Sequence, residues 1–149
     1  MTSTIRPYQT SDFPDLLSMM QAHIPTFFAA EELAEYQAYL ANEREDYFVF
    51  EEQGRILAGG GINYFPDERT ARISWDVVHP DHMGKGIGAQ LTRHRIEHIR
   101  RQKAFDQIIV RTSQLVYPFY ERQGFKLFFT ERDFWAPGFD LYQMELTLR

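Results

Sequence analysis

The 149-residue sequence contains no cysteine. This absence excludes a disulfide framework, a metal site with thiolate ligands and an enzyme mechanism that depends on a cysteine nucleophile.

Long apolar runs and a basic surplus are also missing. No run of about 18 apolar residues occurs, and residues 1–13 hold no apolar stretch of the secretory type. We therefore expect a cytoplasmic protein without a membrane partner. The 16 lysines and arginines are outnumbered by 21 aspartates and glutamates, so the formal charge is -5. Because nucleic-acid binding normally needs a basic face, this balance argues against a nucleic-acid partner.

The remaining composition is that of an ordinary globular protein, with 44% hydrophobic and 25% charged residues. A chain of this length buries roughly 70% of its extended surface on folding, which is enough for a core without disulfides or metals. No internal repeat, low-complexity tract or linker rich in Ser, Gly or Pro divides the sequence. We therefore predict a single domain over residues 1–149.

Helix-like and strand-like patterns are mixed along the whole chain. Apolar residues spaced by three and four predict helices, and short β-branched or aromatic runs between turn residues predict strands. A first helix is predicted after the N-cap candidates Thr10–Asp12 and before Pro25. The other predicted helices cover 31–40, 86–103 and 117–123, and the predicted strands cover 4–7, 47–50, 56–65, 71–78, 108–110, 125–134 and 139–148. This order predicts an α/β (α+β) fold with a mixed sheet.

A glycine cluster at Gly84, Gly86 and Gly88 follows a predicted strand and opens a predicted helix. Backbone N–H groups without helical acceptors converge there at the positive end of the helix dipole. Without a Cβ, a pyrophosphate can approach the main chain, and Lys85 adds positive charge. A helix start that needs glycine only for a tight turn explains this short pattern equally well. A Walker loop does not fit, because Lys85 is followed by glycine instead of Ser or Thr.

The longer string VHPDHMGKGIG, from Val78 to Gly88, resembles a known motif. It is similar to the acetyl-coenzyme A (acetyl-CoA) motif V-x-P-x-x-[RQ]-G-x-G-x-[GA] of the GNAT superfamily of N-acetyltransferases. The segment FYERQGF, residues 119–125, is similar to the family's F-Y-x-[KR]-x-G-F. There are two departures: Met83 replaces the usual Arg or Gln, and Ser113 stands where an Asn commonly contacts the pantetheine chain. The resemblance covers about residues 5–148.

The resemblance implies a GNAT-like fold, which is a mixed, mostly antiparallel central sheet of about seven strands flanked by about four helices. It also implies acetyl-CoA as the acetyl donor, without a metal. The backbone of residues 76–78 would hold the thioester and pantetheine, and residues 84–89 the pyrophosphate. Arg122 would approach the adenosine 3′-phosphate, although an ordinary surface arginine explains this residue equally well. The implied cofactor-binding residues are Val77, Val78, Gly84, Lys85, Gly86, Ile87, Gly88, Ala89, Ser113 and Arg122.

Two residues are predicted to be catalytic, Tyr120 and Asp76. The Tyr120 phenol, with a reference pKa of about 10, can protonate a leaving thiolate whose reference pKa is about 8.5. Asp76 lies in an otherwise apolar strand, on the face that strand alternation gives to Val78 and Ser74, and is the leading candidate for the base. An Asp that binds a backbone N–H at a bulge explains the residue equally well. His79 is the alternative base, because imidazole titrates near neutrality.

The histidines and the basic run of the predicted third helix are given structural interpretations. His94 and His98 are spaced as in H-E-x-x-H, but position 95 is Arg, so we predict surface histidines and no metal site. Glutamate interrupts the basic run, so we predict a solvated helix face. That run consists of Arg93, Arg95, Arg100, Arg101 and Lys103.

The predicted function is acetyl transfer from acetyl-CoA to a primary amine of a small molecule or peptide, by direct attack in a ternary complex. A non-catalytic acetyl-CoA-binding sensor and an interaction domain without ligand are the alternatives. Aromatic and acidic side chains suggest a cationic acceptor, and a homodimer is allowed for. The residues expected at the acceptor cleft are Phe27, Phe28, Glu31, Tyr64, Trp75, Glu131, Trp135 and Tyr142.

Overall fold

A computed structural model describes residues 2–148 as one seven-stranded sheet with helices on both faces. The helices are α1 (Phe13–Gln21), α2 (Glu32–Ala38), α3 (Ile87–Gln102) and α4 (Tyr117–Arg122). The strands are β1 (Ser3–Pro7), β2 (Asp46–Glu52), β3 (Arg55–Phe65), β4 (Thr70–Val78), β5 (Gln107–Thr112), β6 (Lys126–Ala136) and β7 (Phe139–Thr147).

The sheet order is β1-β2-β3-β4-β5-β7-β6. Only β4 and β5 pair in parallel, and every other neighbouring pair is antiparallel. The parallel pair is connected through α3, as a crossover connection requires. The prediction of a mixed, mostly antiparallel sheet of about seven strands with four helices is therefore confirmed. Among residues 2–148, no helix combines the length and apolar character needed to cross a bilayer.

Two apolar cores lie on opposite faces of the sheet. On one face α3 and α4 bury Leu91, Ile99 and Tyr120 against the sheet. On the other face α1 and α2 bury Leu16 and Tyr36. β4 contributes residues to both cores, so a residue of β4 enters one core or the other according to the face on which it lies.

A buried ion pair joins β1 to the start of α1. Asp12 is 3% exposed and accepts two hydrogen bonds of 2.9 Å from the Arg6 guanidinium and one of 2.8 Å from the Gln9 N–H. Burial alone would raise the pKa of Asp12, but the bonds from Arg6 and Gln9 outweigh it and lower that pKa below its usual value. The charged form of Asp12 is therefore the form that stabilises the fold.

Replacing Asp12 with Asn should lower the free energy of unfolding at pH 7 by about 1.5–3 kcal/mol, the range for hydrogen bonds to charged groups. Because the folded pKa of Asp12 is depressed, its contribution is complete above an unfolded pKa of about 3.9 and is lost as pH falls further. Urea unfolding of both proteins between pH 3 and pH 7 measures this. A difference that stays constant down to pH 3 would contradict the assignment.

Candidate active site

The central strands separate on one side of the molecule. β4 and β5 pair only from Thr70 with Gln107 to Ile73 with Val110, although β4 continues to Val78. The edge of residues 76–78 that faces β5 therefore has no strand partner. Unpaired main-chain groups of this kind can bind an extended ligand in the manner of an added strand. The gap lies beside the glycine loop that precedes α3.

A β-bulge interrupts β4 inside this gap. Gly59 pairs with Val77 and Gly61 pairs with Ser74, so Gly60 alone lies opposite both Trp75 and Asp76. Trp75 has a φ of 57°, a left-handed conformation that is uncommon for a bulky residue. The extra residue changes which face of the sheet the following side chains occupy.

The bulge overturns one detail of the predicted alternation. A Cβ at Gly61, the cross-strand partner of Ser74, would point at Tyr47 on the α1/α2 face. Asp76 instead contacts Arg95 of α3 on the opposite face. The prediction that Asp76 shares a face with Ser74 is therefore wrong, because the bulge breaks the period of two. Val78 packs on the α3 face with Asp76, as predicted.

Asp76 is held between a buried cation and a buried phenol. Arg95 is 0% exposed, and its Nη1 lies 2.6 Å from Asp76 Oδ1. The Tyr120 hydroxyl donates a hydrogen bond to Asp76 Oδ2. Arg95 also donates to the Gly61 carbonyl at 3.0 Å. The three side chains form a continuous network that joins β4, α3 and α4, which we call the Asp76 network.

The absence of a side chain at Gly60 makes room for this network. A Cβ at Gly60 would lie 2.6 Å from Arg95 Cζ and 2.7 Å from Asp76 Oδ1, closer than real Cβ atoms approach such groups. The ion pair between Arg95 and Asp76 on the α3 face therefore requires glycine at position 60.

The electrostatics of the network keep Tyr120 protonated. Burial raises the pKa of Tyr120 well above its usual value, and the negative charge of Asp76 raises it further, while Arg95 acts in the opposite direction. Burial would lower the pKa of Arg95, but the attraction of Asp76 outweighs it, so that pKa is raised. Tyr120 is thus a neutral donor beside a charged pair.

Arg95 does not belong to a solvated helix face. It was predicted as a member of the basic run of α3, and that prediction is wrong for this residue. Arg95 lies four residues after Leu91 and four before Ile99, and both of these are buried. Residues spaced by four share one helix face, so the apolar spacing already contained the signal for a buried arginine. Arg93, Arg100, Arg101 and Lys103 are exposed, as predicted.

A cavity of about 520 Å³ lies between the gap in the sheet and the glycine loop. Gly84 and Gly86 have φ values of 77° and 82°, which explains why glycine occupies both positions. Gly86 is the residue before α3, and the first helical hydrogen bond runs from the Gln90 N–H to the Gly86 carbonyl. The N–H groups of residues 87–89 therefore have no helical acceptor. We call this space the loop cavity.

The loop cavity brings together most of the residues predicted to bind a cofactor. Those that line it are Val77, Val78, Gly84, Gly86, Ile87, Gly88, Ala89 and Arg122. Lys85 is exposed and is not part of the lining. Ser113 lines a different cavity, and its hydroxyl accepts a hydrogen bond from the Leu115 N–H at 3.2 Å. A contact between Ser113 and a cofactor stays a prediction.

His23 is a residue of this site that the sequence did not indicate. It is 6% exposed, lines the loop cavity, and places its Nε2 2.6 Å from the Val78 carbonyl oxygen. Its partner is thus one of the backbone groups predicted to hold the pantetheine chain. Nothing in the local sequence links residues 23 and 78, because the contact depends on how α1 docks on the sheet.

His79 lies outside the loop cavity. Its Nδ1 accepts a hydrogen bond from the Asp81 N–H at 3.1 Å, and the residue lines a separate depression beside Asp15 and Arg55. Asp76 therefore has the better position of the two base candidates. His94 and His98 pack edge-on against Phe48. Within residues 2–148, no group of three or more His, Asp or Glu side chains is arranged to hold a metal ion.

A second cavity, of about 390 Å³, lies on the other side of the Asp76 network. It opens between the separated strands and contacts α2, and we call it the sheet cavity. Four of the eight residues expected at an acceptor cleft line it: Phe27, Phe28, Trp75 and Trp135. The other four, Glu31, Tyr64, Glu131 and Tyr142, do not. Its charged lining residues include Arg72 and Arg111, which sequence reasoning missed.

Asp76 and Tyr120 form part of the wall that both cavities share. The other shared residues are Phe27, Phe28 and Val116, so the partition is apolar apart from one carboxylate and one phenol. A ligand in the loop cavity and a second ligand in the sheet cavity could therefore both reach the Tyr120–Asp76 pair. This arrangement suits a proton-coupled reaction between two bound molecules.

Comparison of the sequence with protein families gives a match over most of the chain. The profile of a family described as "Acetyltransferase (GNAT) domain" matches residues 16–148. An amino-acid acetyltransferase from Pasteurella multocida (strain Pm70) is 28% identical over 126 residues, which cover 85% of this chain. The chain spans only 28% of the length of that relative.

Solved structures share the fold along the whole chain. An N-acetyltransferase from Staphylococcus aureus Mu50 superimposes with a TM-score of 0.78 at 22% identity, and the alignment covers 100% of both chains. A protein from Salmonella typhimurium, solved with its cofactor acetyl-CoA, gives a TM-score of 0.76 at 20% identity over 100% of this chain and 95% of that one. These likenesses confirm the predicted fold.

Proposed function

The chain belongs to the GNAT family of acetyltransferases, and we propose that it transfers the acetyl group of acetyl-CoA to a primary amine of a small molecule or peptide. The observation that carries this proposal is the wall shared by the two cavities, where Tyr120 and Asp76 line both of them. The donor would occupy the loop cavity and the acceptor the sheet cavity. The names of the amino-acid acetyltransferase relatives are consistent with an amine acceptor.

The loop cavity suits the donor in three ways. Its unpaired β4 edge can bind the amides of a pantetheine chain, and the free N–H groups of residues 87–89 can bind a pyrophosphate. Arg122 adds a positive charge on α4. His23 would meet the pantetheine where it approaches the Val78 carbonyl. The acetyl-CoA bound by the Salmonella typhimurium relative supports this choice of donor.

Acetyl transfer forms a carbon–nitrogen and a sulfur–hydrogen bond and breaks a carbon–sulfur and a nitrogen–hydrogen bond. The amine nitrogen attacks the acetyl carbon, the carbon–sulfur bond breaks, the amine loses a proton and the sulfur gains one. A fixed backbone N–H of the β4 edge would stabilise the oxyanion, and loss of such a donor typically costs ~100- to 1000-fold in rate. The chain has no cysteine, which excludes an acetyl-cysteine intermediate, and we propose direct attack in a ternary complex.

The Asp76 network provides a path for the proton. Asp76 is the base that receives the proton lost by the amine, directly or through water, and Tyr120 is the acid that protonates the leaving thiolate. Because the Tyr120 hydroxyl already donates to Asp76, the proton accepted by the carboxylate can return to the phenol along the same hydrogen bond. Arg95 fixes the Asp76 carboxylate in position during this exchange.

Replacing Gly86 with Ala tests the donor site. Gly86 has a φ of 82° and open space around the position of a Cβ, so the fold can accept the methyl group at the cost of backbone strain. The methyl group would occupy the space proposed for the pyrophosphate and disturb its hydrogen bonds. Since a hydrogen bond to a charged group contributes about 1.5–3 kcal/mol, we expect the Kd for acetyl-CoA, measured calorimetrically, to rise at least ~10-fold.

Gly54→Ala is the matched control. Gly54 has a φ of 76° and equally open surroundings, but it lies in the turn between β2 and β3, outside the loop cavity. Its substitution should cost similar stability and leave the Kd for acetyl-CoA unchanged.

Acetyl-CoA at about 100 times its Kd should stabilise the unmodified protein by ~2.7 kcal/mol. An absence of stabilisation would contradict the proposed donor. Binding without thiol release across a panel of amines would indicate a sensor.

A further inference from the structure

Two arginines project from neighbouring strands into the sheet cavity. Arg72 belongs to β4 and lies opposite Ile109 of the parallel strand β5, and Arg111 follows Ile109 by two residues. Residues two apart on a strand lie on the same face, so Arg72 and Arg111 share one face of the sheet. Both line the cavity of about 390 Å³. We call them the arginine pair.

Aromatic rings hold the arginine pair, but no carboxylate neutralises it. The Arg72 guanidinium lies 5.0 Å from the centre of the Phe65 ring, and that of Arg111 lies 4.9 Å from Phe134 and 5.8 Å from Trp135. Over residues 2–148, no ion pair joins either arginine to an Asp or Glu. Rings orient a cation at modest gain and leave its charge in place. The guanidinium donors therefore remain available to an anion.

Three of the four carboxylates that line this cavity have other partners. Glu32 accepts the Ala29 N–H at 2.8 Å, and Glu45 accepts from Asn63 Nδ2 at 3.0 Å and from the Tyr64 N–H at 3.1 Å. Asp76 is bound to Arg95. The fourth carboxylate, Glu43, raises the pKa of Arg72, but by less than Arg111 lowers it.

Burial and the nearby charge of Arg111 both act on the pKa of Arg72. Partial burial lowers the pKa of its guanidinium below the usual value, and repulsion by Arg111 lowers it further, while Tyr39 and Glu43 only partly compensate. Two like charges held together without a counterion in a partly buried space are costly. An anion bound between the two arginines would reduce their repulsion and accept hydrogen bonds from their free N–H groups.

We propose that the acceptor amine also carries a carboxylate, and that Arg72 and Arg111 bind this carboxylate while the amine lies at Asp76 and Tyr120. This inference rests on the proposed function and defines its substrate class. Asp76 lies four positions after Arg72, at most about 13 Å along a strand, and the length of the arginine side chain shortens that distance. A molecule of the size of an amino acid or a short peptide can span it. The class differs from the cationic acceptor that the acidic composition suggested.

The test compares amino acids with their carboxamides as acceptors. Each pair has the same amine and side chain but differs in the carboxylate, and diamines serve as cationic acceptors. We expect a higher kcat/KM for amino acids than for carboxamides. Arg72→Met and Arg111→Met should each lower kcat/KM for the amino acid by ~10- to 100-fold, as expected for the loss of hydrogen bonds to a charged group. Because a carboxamide carries no charge for the arginines to bind, its kcat/KM should fall by clearly less than that of the matching amino acid in both variants.

Three further measurements keep the test decisive. Arg93→Met, on the exposed face of α3, is the matched control and should leave all rates unchanged. Arg72→Lys keeps the charge and should retain part of the preference for amino acids over carboxamides. It replaces the methionine variant if that variant does not fold. Calorimetric titration of amino acids and carboxamides onto the protein with coenzyme A bound reports the carboxylate site without turnover.

The outcomes separate the two proposals. A preference for carboxamides or diamines, or a preference for amino acids that survives both methionine substitutions, would overturn the carboxylate site. Binding of amino acids that the methionine substitutions abolish, without acetylation of any acceptor, would uphold the carboxylate site and overturn the proposed function. If neither amino acids nor carboxamides bind or react, the carboxylate site is also overturned.

Discussion

Tyr120→Phe should lower kcat for acetyl transfer by about 10²- to 10⁴-fold, the usual contribution of a positioned general acid. The substitution removes one hydroxyl and keeps the ring that packs in the core between Phe119 and Phe125. The thiolate then has no positioned proton donor when the carbon–sulfur bond breaks. Because the hydroxyl takes no part in holding the pyrophosphate, we expect the Kd for acetyl-CoA to stay within about threefold of its original value.

The pH dependence of kcat is a second test of the role of Tyr120. Burial and the charge of Asp76 raise the pKa of Tyr120 well above its usual value, so the phenol keeps its proton throughout the usual assay range. The unmodified enzyme should therefore show no loss of kcat from Tyr120 ionisation between about pH 8 and pH 10. Tyr117→Phe, at a partly buried position one turn earlier in α4, is the control and should retain its activity. Equal kcat values for the Tyr120 and Tyr117 variants would remove Tyr120 as the acid.

Arg95→Met is expected to have the largest effect on stability. Removing one member of a buried ion pair leaves the other charge uncompensated, which typically costs about 3–5 kcal/mol. Here Asp76 would lose its cation, and the Gly61 carbonyl would lose a hydrogen-bond donor. For a domain of this size, each kcal/mol lowers Tm by about 2–4 °C, so a decrease of roughly 6–20 °C should follow. Urea unfolding and calorimetry measure both quantities.

Two companion variants identify the cause of this effect. Arg93→Met removes a charge from the same helix at an exposed position and should change the free energy of unfolding by less than about 0.5 kcal/mol. Adding Asp76→Asn to Arg95→Met removes the stranded carboxylate, so the double variant should be more stable than Arg95→Met alone. A double variant that is less stable than Arg95→Met would show that the unpaired charge of Asp76 is not the cause of the loss.

Sequence patterns predicted the fold because the local signals agree with the tertiary structure. The predicted helix 86–103 is one residue longer than α3 at each end, and the predicted strand 71–78 begins one residue after the start of β4. The glycine loop between them was found by its position after a strand and before a helix. The resemblance to the GNAT family rested on this loop and on residues 119–125, and the match to the family profile confirms it.

The parts of the site that were missed depend on contacts between distant residues. The β4 bulge at Trp75 has no clear local sequence signal, and it reversed the expected relation between Ser74 and Asp76. Arg95 belongs to a basic run whose other members are exposed, but its spacing of four from Leu91 and Ile99 places it on the buried face of α3. Arg72 and Arg111 each resemble an ordinary strand residue, and only the pairing of β4 with β5 brings them to one cavity.

The most direct test of the proposed reaction follows the acetyl group itself. Acetyl-CoA labelled in the acetyl carbons is incubated with the protein and an amino acid, and the amine and the protein are then analysed by mass spectrometry. We predict labelled N-acetyl product and free coenzyme A in equal amounts, no label on the protein, and a much slower reaction with Tyr120→Phe. A protein that binds acetyl-CoA but forms no labelled amine with any acceptor, or that itself carries the label, would contradict direct transfer across the Asp76–Tyr120 wall.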